Sequence, residues 1–262
     1  MASIKNKIIV ITGASSGIGQ ATARLAAKEG AIPVLLARSA EALHALAAEL
    51  KKSAPETSFY PMDVTDNNQI VDTVSAILAK YGRIDIWINN AGYGIFSPFT
   101  EASFADIEGM MNVNYFGVVR CTKAVLPHML AQGSGHIITV ASVAGKLATP
   151  KSSGYAASKF AVTGFMQSLH EEVKGSGVFV STVNPGPVQT PFFEQADPDG
   201  SYRRSVERFM VTPEAVARAI LLLYQTKKAE ATIPRYMNIG VILSHAFPAF
   251  FNRMIRPRLN KK

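Results

Sequence analysis

The feature that most constrains this chain is an alternation of short, β-branched apolar runs with longer stretches of helical periodicity, sustained from residue 8 to beyond residue 230. Ile8–Thr12, Ile32–Ala37, Ser58–Pro61, 84–89, 136–141, 178–183 and 231–234 read as strands. The stretches 17–29, 40–52, 66–81, 103–131, 153–174 and 213–227 read as helices. Gly30, Gly82 and Gly175 supply helix stops, and Thr212-Pro213 supplies a start. Strands that are apolar on both faces must be covered on both, and crossover helices provide the cover. The pattern predicts an α/β doubly wound parallel sheet, with any ligand at the carboxyl ends of its strands, where their order reverses. At 262 residues the chain suits one large domain, and no repeat, low-complexity segment or linker divides it.

Several classes drop out. The single cysteine, Cys121, excludes an internal disulfide framework and sits among apolar residues, as a core thiol does. No run of eighteen apolar residues exists and no secretory signal precedes the first strand, so the expected place is the cytoplasm. No metal site is expected: His170-Glu171-Glu172 lacks zinc-ligand spacing, and the five histidines are scattered. The net charge of +8 concentrates in the tail, where residues 231–262 carry Arg235, Arg253, Arg256, Arg258, Lys261 and Lys262 and no acidic residue. Without aromatic interleaving on a sheet face, that distribution argues against nucleic acid.

Directly after the first strand comes Thr12-Gly13-Ala14-Ser15-Ser16-Gly17-Ile18-Gly19, opening a helix. Glycines let backbone approach a pyrophosphate, and the helix start offers unpaired amides and partial positive charge. The second strand ends in Ala37-Arg38-Ser39, where a site for NAD would carry an acid for the ribose 2′-hydroxyl. Arginine pairs instead with a 2′-phosphate, so NADP(H) is preferred over NAD(H), with Ser15 and Ser39 as helpers.

Further on, Tyr155 and Lys159 stand four residues apart, one turn of helix, on a shared face. A nearby ammonium favours the phenolate and is expected to pull the tyrosine pKa from about 10 toward neutrality, which makes the phenol a proton donor or acceptor at pH 7.

Taken in order, Thr12-Gly-x-x-x-Gly-x-Gly19, Asp63-Val64, Asn89-Asn90-Ala91-Gly92, Asn114, Ser142, Tyr155-x-x-x-Lys159 and Pro185-Gly186 resemble the short-chain dehydrogenase/reductase family over roughly residues 6–190. The resemblance implies a Rossmann-like sheet of about seven strands in the order 3-2-1-4-5-6-7. It implies that Gly13, Ser15, Ser16, Gly17, Ile18, Gly19 and Arg38 contact the cofactor, that Asp63 and Val64 meet the adenine, and that Asn90, Ala91 and Gly92 run beneath. Asn114 resembles the asparagine that distorts its helix and holds a relay water. Ser142 resembles the donor to the substrate carbonyl, Tyr155 the general acid, and Lys159 the residue on the nicotinamide ribose. Pro185, Gly186, Val188 and Thr190 resemble the segment closing over the nicotinamide. The implied reaction is hydride transfer between NADP(H) and a small-molecule carbonyl or alcohol, in a homodimer or homotetramer built through 103–131 and 153–174. The alternative of another class is a non-enzymatic NADP(H)-binding regulator or membrane-recruited scaffold on the same fold.

Between the motifs lie the segments expected to choose the substrate. Phe96, Leu147, Phe192 and Phe193 suggest a hydrophobic or lipid-like compound, and 187–211, with its turn cluster Asp197-Pro198-Asp199-Gly200, suggests a substrate lid. The extension 235–262 is apolar and then basic, which suits peripheral contact with an anionic membrane or packing at the pocket entrance.

Overall fold

In the computed structural model of the protein, seven parallel strands lie in the order β3-β2-β1-β4-β5-β6-β7. They are β1 (Ile8–Thr12), β2 (Ile32–Ala37), β3 (Ser58–Pro61), β4 (Ile86–Asn89), β5 (Gly135–Val140), β6 (Val178–Pro185) and β7 (Glu230–Ile233). The structure describes residues 3–197, 200–250 and 253; Pro198 and Asp199 of the expected turn cluster, Phe251, Arg256, Arg258, Lys261 and Lys262 lie outside the described residues. Strand β1 pairs with β2 on one side and β4 on the other, Ile11 facing Leu35 and Ile88, so the order reverses at its carboxyl end.

Side-chain alternation along the strands divides the core into two layers. Ile9, Ile11, Leu35, Ile88 and Ile138 pack against α1 (Gly17–Lys28), α2 (Ala40–Leu50) and, through Val216 and Ile220, the helix Pro213–Thr226. Ile8, Val10, Leu36, Trp87 and Ile137 pack on the opposite face against α3 (Asn67–Tyr81), Cys121 and Val125 of the helix Gly117–Gln132, and Met166 of the helix Ser153–Glu172. Each fully buried Ile or Leu contributes roughly 1.5–3 kcal/mol. Ends are fixed locally: the side chains of Ser39, Asp66 and Thr212 accept backbone amides at helix starts, and Gly82 stops α3 at φ +71°.

Periodicity alone makes 103–131 one helix, whereas the resemblance implied a distortion at Asn114, and the distortion is there: α4 (Phe104–Met111) runs through a wider π turn at Asn112–Phe116 into α5 (Gly117–Gln132). The π turn surrounds Asn114, whose side chain is committed to the backbone of Tyr93. Beyond α6 (Ser153–Glu172), α7 (Phe192–Ala196), α8 (Ser201–Val206) and α9 (Pro213–Thr226), the tail forms a further helix, α10 (Tyr236–Ala246), to which the sequence periodicity gave no helical assignment. Gly240 and Asn238 weaken its intrinsic propensity, and packing of Met237 on Gly186 and burial of Val241 supply the missing stability.

His136 in β5 is fully buried. Ser181 donates its hydroxyl proton to Lys228 O, so His136 Nε2, 2.7 Å away, carries the hydrogen between them. Burial, with the charge of Lys227 added, pushes its pKa down from 6.5 to about 3. The unfolded chain therefore binds the extra proton between those values, and stability falls as pH drops from 6.5 toward 3. For His136→Gln, urea midpoints at pH 8 should lie at or below wild type, and the difference should shrink and reverse by pH 4. Parallel pH dependences would count against this account.

Candidate active site

The floor of the site is the junction of β1, β4 and α1. Thr12 Oγ1 accepts the amides of Asn90 (2.9 Å) and Ala91 (3.0 Å), and Asn90 Nδ2 donates back to Thr12 O (2.9 Å) and Gly13 O (3.1 Å). Gly13 turns at φ +63°, and a Cβ there would lie 2.9 Å from Ala91 Cα. At Gly19 a Cβ would lie 2.3 Å from Gly13 O, so helix and turn meet only because both residues lack side chains. Ser16, at the N-cap of α1, gives no side-chain cap, which leaves the first-turn amides free for an anion. This cradle fits a pyrophosphate. Beside it, exposed Arg38 and Ser39 follow β2, and Asp63 Oδ1 accepts from Thr65 N and Oγ1, both at 2.8 Å.

Helix α6 carries Tyr155 and Lys159 together, as their spacing requires. Lys159 Nζ donates to Val140 O at 3.0 Å and lies 5.8 Å from the centre of the Tyr155 ring. The expected lowering of the tyrosine pKa does not occur here. Burial pushes Tyr155 up to about 12, opposed by a hydrogen bond with Ser142, and burial pushes Lys159 down to about 8. Desolvation wins because the ammonium is aimed at a carbonyl rather than at the phenol oxygen. At pH 7 the phenol is protonated and the amine predominantly charged. Ser142, two residues beyond β5, accepts from Ala144 N at 3.0 Å and donates to Pro185 O at 3.4 Å.

Fully buried Asn114 brackets Tyr93: Oδ1 accepts Tyr93 N (2.9 Å), and Nδ2 donates to Tyr93 O (2.8 Å) and Ser158 Oγ (3.0 Å). Ser158 in turn donates to Tyr155 O at 2.7 Å, so one polar chain ties the Gly92-Tyr93 segment to α6.

A cleft of about 1200 Å³ runs over these elements. It brings together Gly13, Ser15, Ser16, Gly17, Ile18, Arg38, Asp63, Val64, Asn90, Ala91, Gly92, Ser142, Tyr155, Lys159, Pro185, Gly186, Val188 and Thr190; Gly19 and Asn114 lie beneath its floor rather than along it. Its far end is aromatic. Phe96 meets Tyr155 edge-on at 5.6 Å, Phe192 lies 5.7 Å from Tyr155, and Tyr202 stacks on Phe193 at 6.0 Å. Sequence reasoning named Phe96, Leu147, Phe192 and Phe193 there; Tyr202 lies within the expected lid, and Tyr236 and Met237 within the tail expected to pack at the pocket entrance, although none of the three was singled out. Tyr202 precedes Arg203-Arg204 and reads as part of a charged short helix; from α8 its hydroxyl bonds Thr149 inside the cleft.

A glycine-lined anion cradle at the switch point, continuous with a buried tyrosine, lysine and serine, defines a Rossmann-like oxidoreductase site. The family model for short chain dehydrogenase matches residues 7–200, and this chain belongs to that family, oxidoreductases acting on carbonyl and alcohol groups. It is 35% identical over 233 residues, 87% of this chain and 94% of the other, to the 3-oxoacyl-[acyl-carrier-protein] reductase of Thermotoga maritima. The structure is similar to a short chain dehydrogenase/reductase from Burkholderia phymatum in complex with NAD (TM-score 0.87, 26% identity, 94% of this chain and 95% of that one). It is also similar to an alcohol dehydrogenase from Thermococcus sibiricus complexed with 5-hydroxy-NADP (TM-score 0.76, 28% identity, 87% and 95%).

Proposed function

We propose that this chain is an NADP(H)-dependent reductase of hydrophobic or lipid-like carbonyl compounds, working in reverse as an alcohol dehydrogenase. The observation that carries the reading is the single cleft with Arg38 at one end, Tyr155 and Ser142 midway and an aromatic wall at the other. The nicotinamide supplies hydride to a carbonyl carbon, or takes it from an alcohol. The chain's own residues do the rest. The glycine turn and the first amides of α1 hold the pyrophosphate, Asp63 and Val64 flank the adenine, and Asn90, Ala91 and Gly92 support the cofactor from below. Lys159 binds the nicotinamide ribose, and Pro185, Gly186, Val188 and Thr190 cover the ring. Tyr155 and Ser142 hydroxyls bond the substrate oxygen where negative charge develops, and Tyr155 delivers the proton. Its raised pKa keeps that proton in place at pH 7. Asn114 acts through Tyr93 and Ser158 as a positioning residue.

Residues 187–211 serve as the substrate lid in this reading. Val188 pairs with Val211, Gln189 N donates to Val211 O and Val211 N to Pro187 O, both at 2.9 Å, which ties the two ends of the segment together under Phe192, Phe193 and Tyr202. Exposed Phe116 and Phe160, on the π turn and α6, support a homodimer or homotetramer through those helices.

The test compares kcat/KM for NADPH and NADH with a panel of hydrophobic ketones. Wild type should favour NADPH, and Arg38→Asp should cut the NADPH value by about 100-fold while raising that for NADH, the size expected for a charge-assisted arginine–phosphate pair. A wild-type enzyme that favours NADH would overturn the cofactor assignment.

A further inference from the structure

The outer face of α10 is used by nothing in the reaction. Met237 and Gly240 line the cleft and Val241 is buried, whereas Ile239 (60% exposed) and Ile242 (57%) project from the other side of the helix. Tyr236 (53%) begins the same stripe at i, i+3 spacing, and Phe247 (60%) lies just past the helix end. Large apolar side chains gathered on one face mark a contact surface.

The charges around the stripe indicate what it meets. Exposed Arg235 precedes the helix and exposed Arg253 follows it. From residue 231 to 262 the sequence carries six arginines and lysines and no carboxylate. An apolar stripe flanked along the chain by cations is complementary to an anionic lipid surface, with the apolar side chains in the acyl boundary and the cations among phosphates. A second copy of the chain would bring the same positive frame against itself. No helix among the described residues is long and apolar enough to cross a membrane, which fits contact from one side.

We propose that α10 docks this protein on an anionic lipid surface through Tyr236, Ile239, Ile242 and Phe247. Tyr236 belongs to both the exposed stripe and the cleft lining, so docking turns the mouth of the cleft toward the bilayer and lets a lipophilic carbonyl compound enter from lipid. The docking stands on the helix alone; the route of entry rests on the carbonyl-reductase reading.

The experiment is co-sedimentation of the full chain with vesicles of phosphatidylcholine, with and without phosphatidylglycerol. Binding is expected only with phosphatidylglycerol and should weaken as salt rises. I239S/I242S should lose about tenfold or more in vesicle affinity, while reducing a water-soluble ketone at the wild-type rate. If that variant loses turnover through misfolding, Phe247→Ser, beyond the helix, makes the same test. Wild type that stays in the supernatant with anionic vesicles would overturn the proposal. So would variants that bind as wild type does, or a wild-type dimer in free solution that I239S/I242S converts to monomer, since a second copy would then cover the stripe. Vesicle binding without turnover of any ketone would support docking and count against the carbonyl-reductase reading alone.

Discussion

Tyr155→Phe should lower ketone reduction by about a thousandfold or more, the combined scale of a lost general acid and a lost oxyanion donor, with NADPH affinity changed less than a few fold. The substitution removes one oxygen and keeps the ring, so the packing of Phe96 and Phe192 against it survives. Ser142 remains, anchored by Ala144 N, and can still hold the substrate carbonyl without supplying the transferred proton. KM for the ketone should therefore move little while kcat collapses. Fluorescence titration with NADPH alongside steady-state kinetics separates the two effects. Substantial kcat in the variant would mean that the proton comes from elsewhere.

The second large effect is expected at Gly19→Ala. Its new methyl would lie 2.3 Å from Gly13 O and 2.6 Å from Asn90 Nδ2, distances that real Cβ atoms do not reach. Both neighbours belong to the bonded junction of β1 and β4, so relief requires moving backbone and breaking the Asn90 bonds to Thr12 O and Gly13 O. A loss of roughly 2–4 kcal/mol follows from overpacking together with a broken buried hydrogen bond. NADPH affinity should fall by at least about 100-fold as the cradle opens, on the scale of several lost amide–phosphate bonds. Thermal unfolding reads the loss, and a Gly19→Ala midpoint equal to that of wild type would refute the steric account.

Much of the fold was legible because its signals are local. The apolar runs around Val10, Leu35 and Trp87 are strands buried on both faces, and hydrophobicity alone marks them. Asp66, Thr212 and Gly82 mark helix ends through side-chain or backbone chemistry confined to one turn. Strand β4 begins at Ile86 rather than 84 for a nonlocal reason: Asp85 turns its carboxylate to Ile8 N, Lys7 and Arg83. The distortion at Asn114 was legible only through the family resemblance and not through periodicity, since nothing near Asn114 announces that its partner is the backbone of Tyr93, 21 residues earlier.

By itself, then, the sequence determined the alternation that makes a parallel sheet, the glycine turn that opens α1, and the one-turn spacing that puts Tyr155 and Lys159 on one face, since each depends on residues within a few positions of one another. Only the tertiary structure decided how those residues behave. Burial, not the neighbouring ammonium, governs the tyrosine's proton, because Lys159 turns toward Val140 O and water is excluded around both groups. Tertiary packing also brings Tyr202 and Met237 into the cleft while leaving Ile239 and Ile242 outside it. Desolvation and contact depend on which distant segments close over a residue, and that is information no short window of sequence holds.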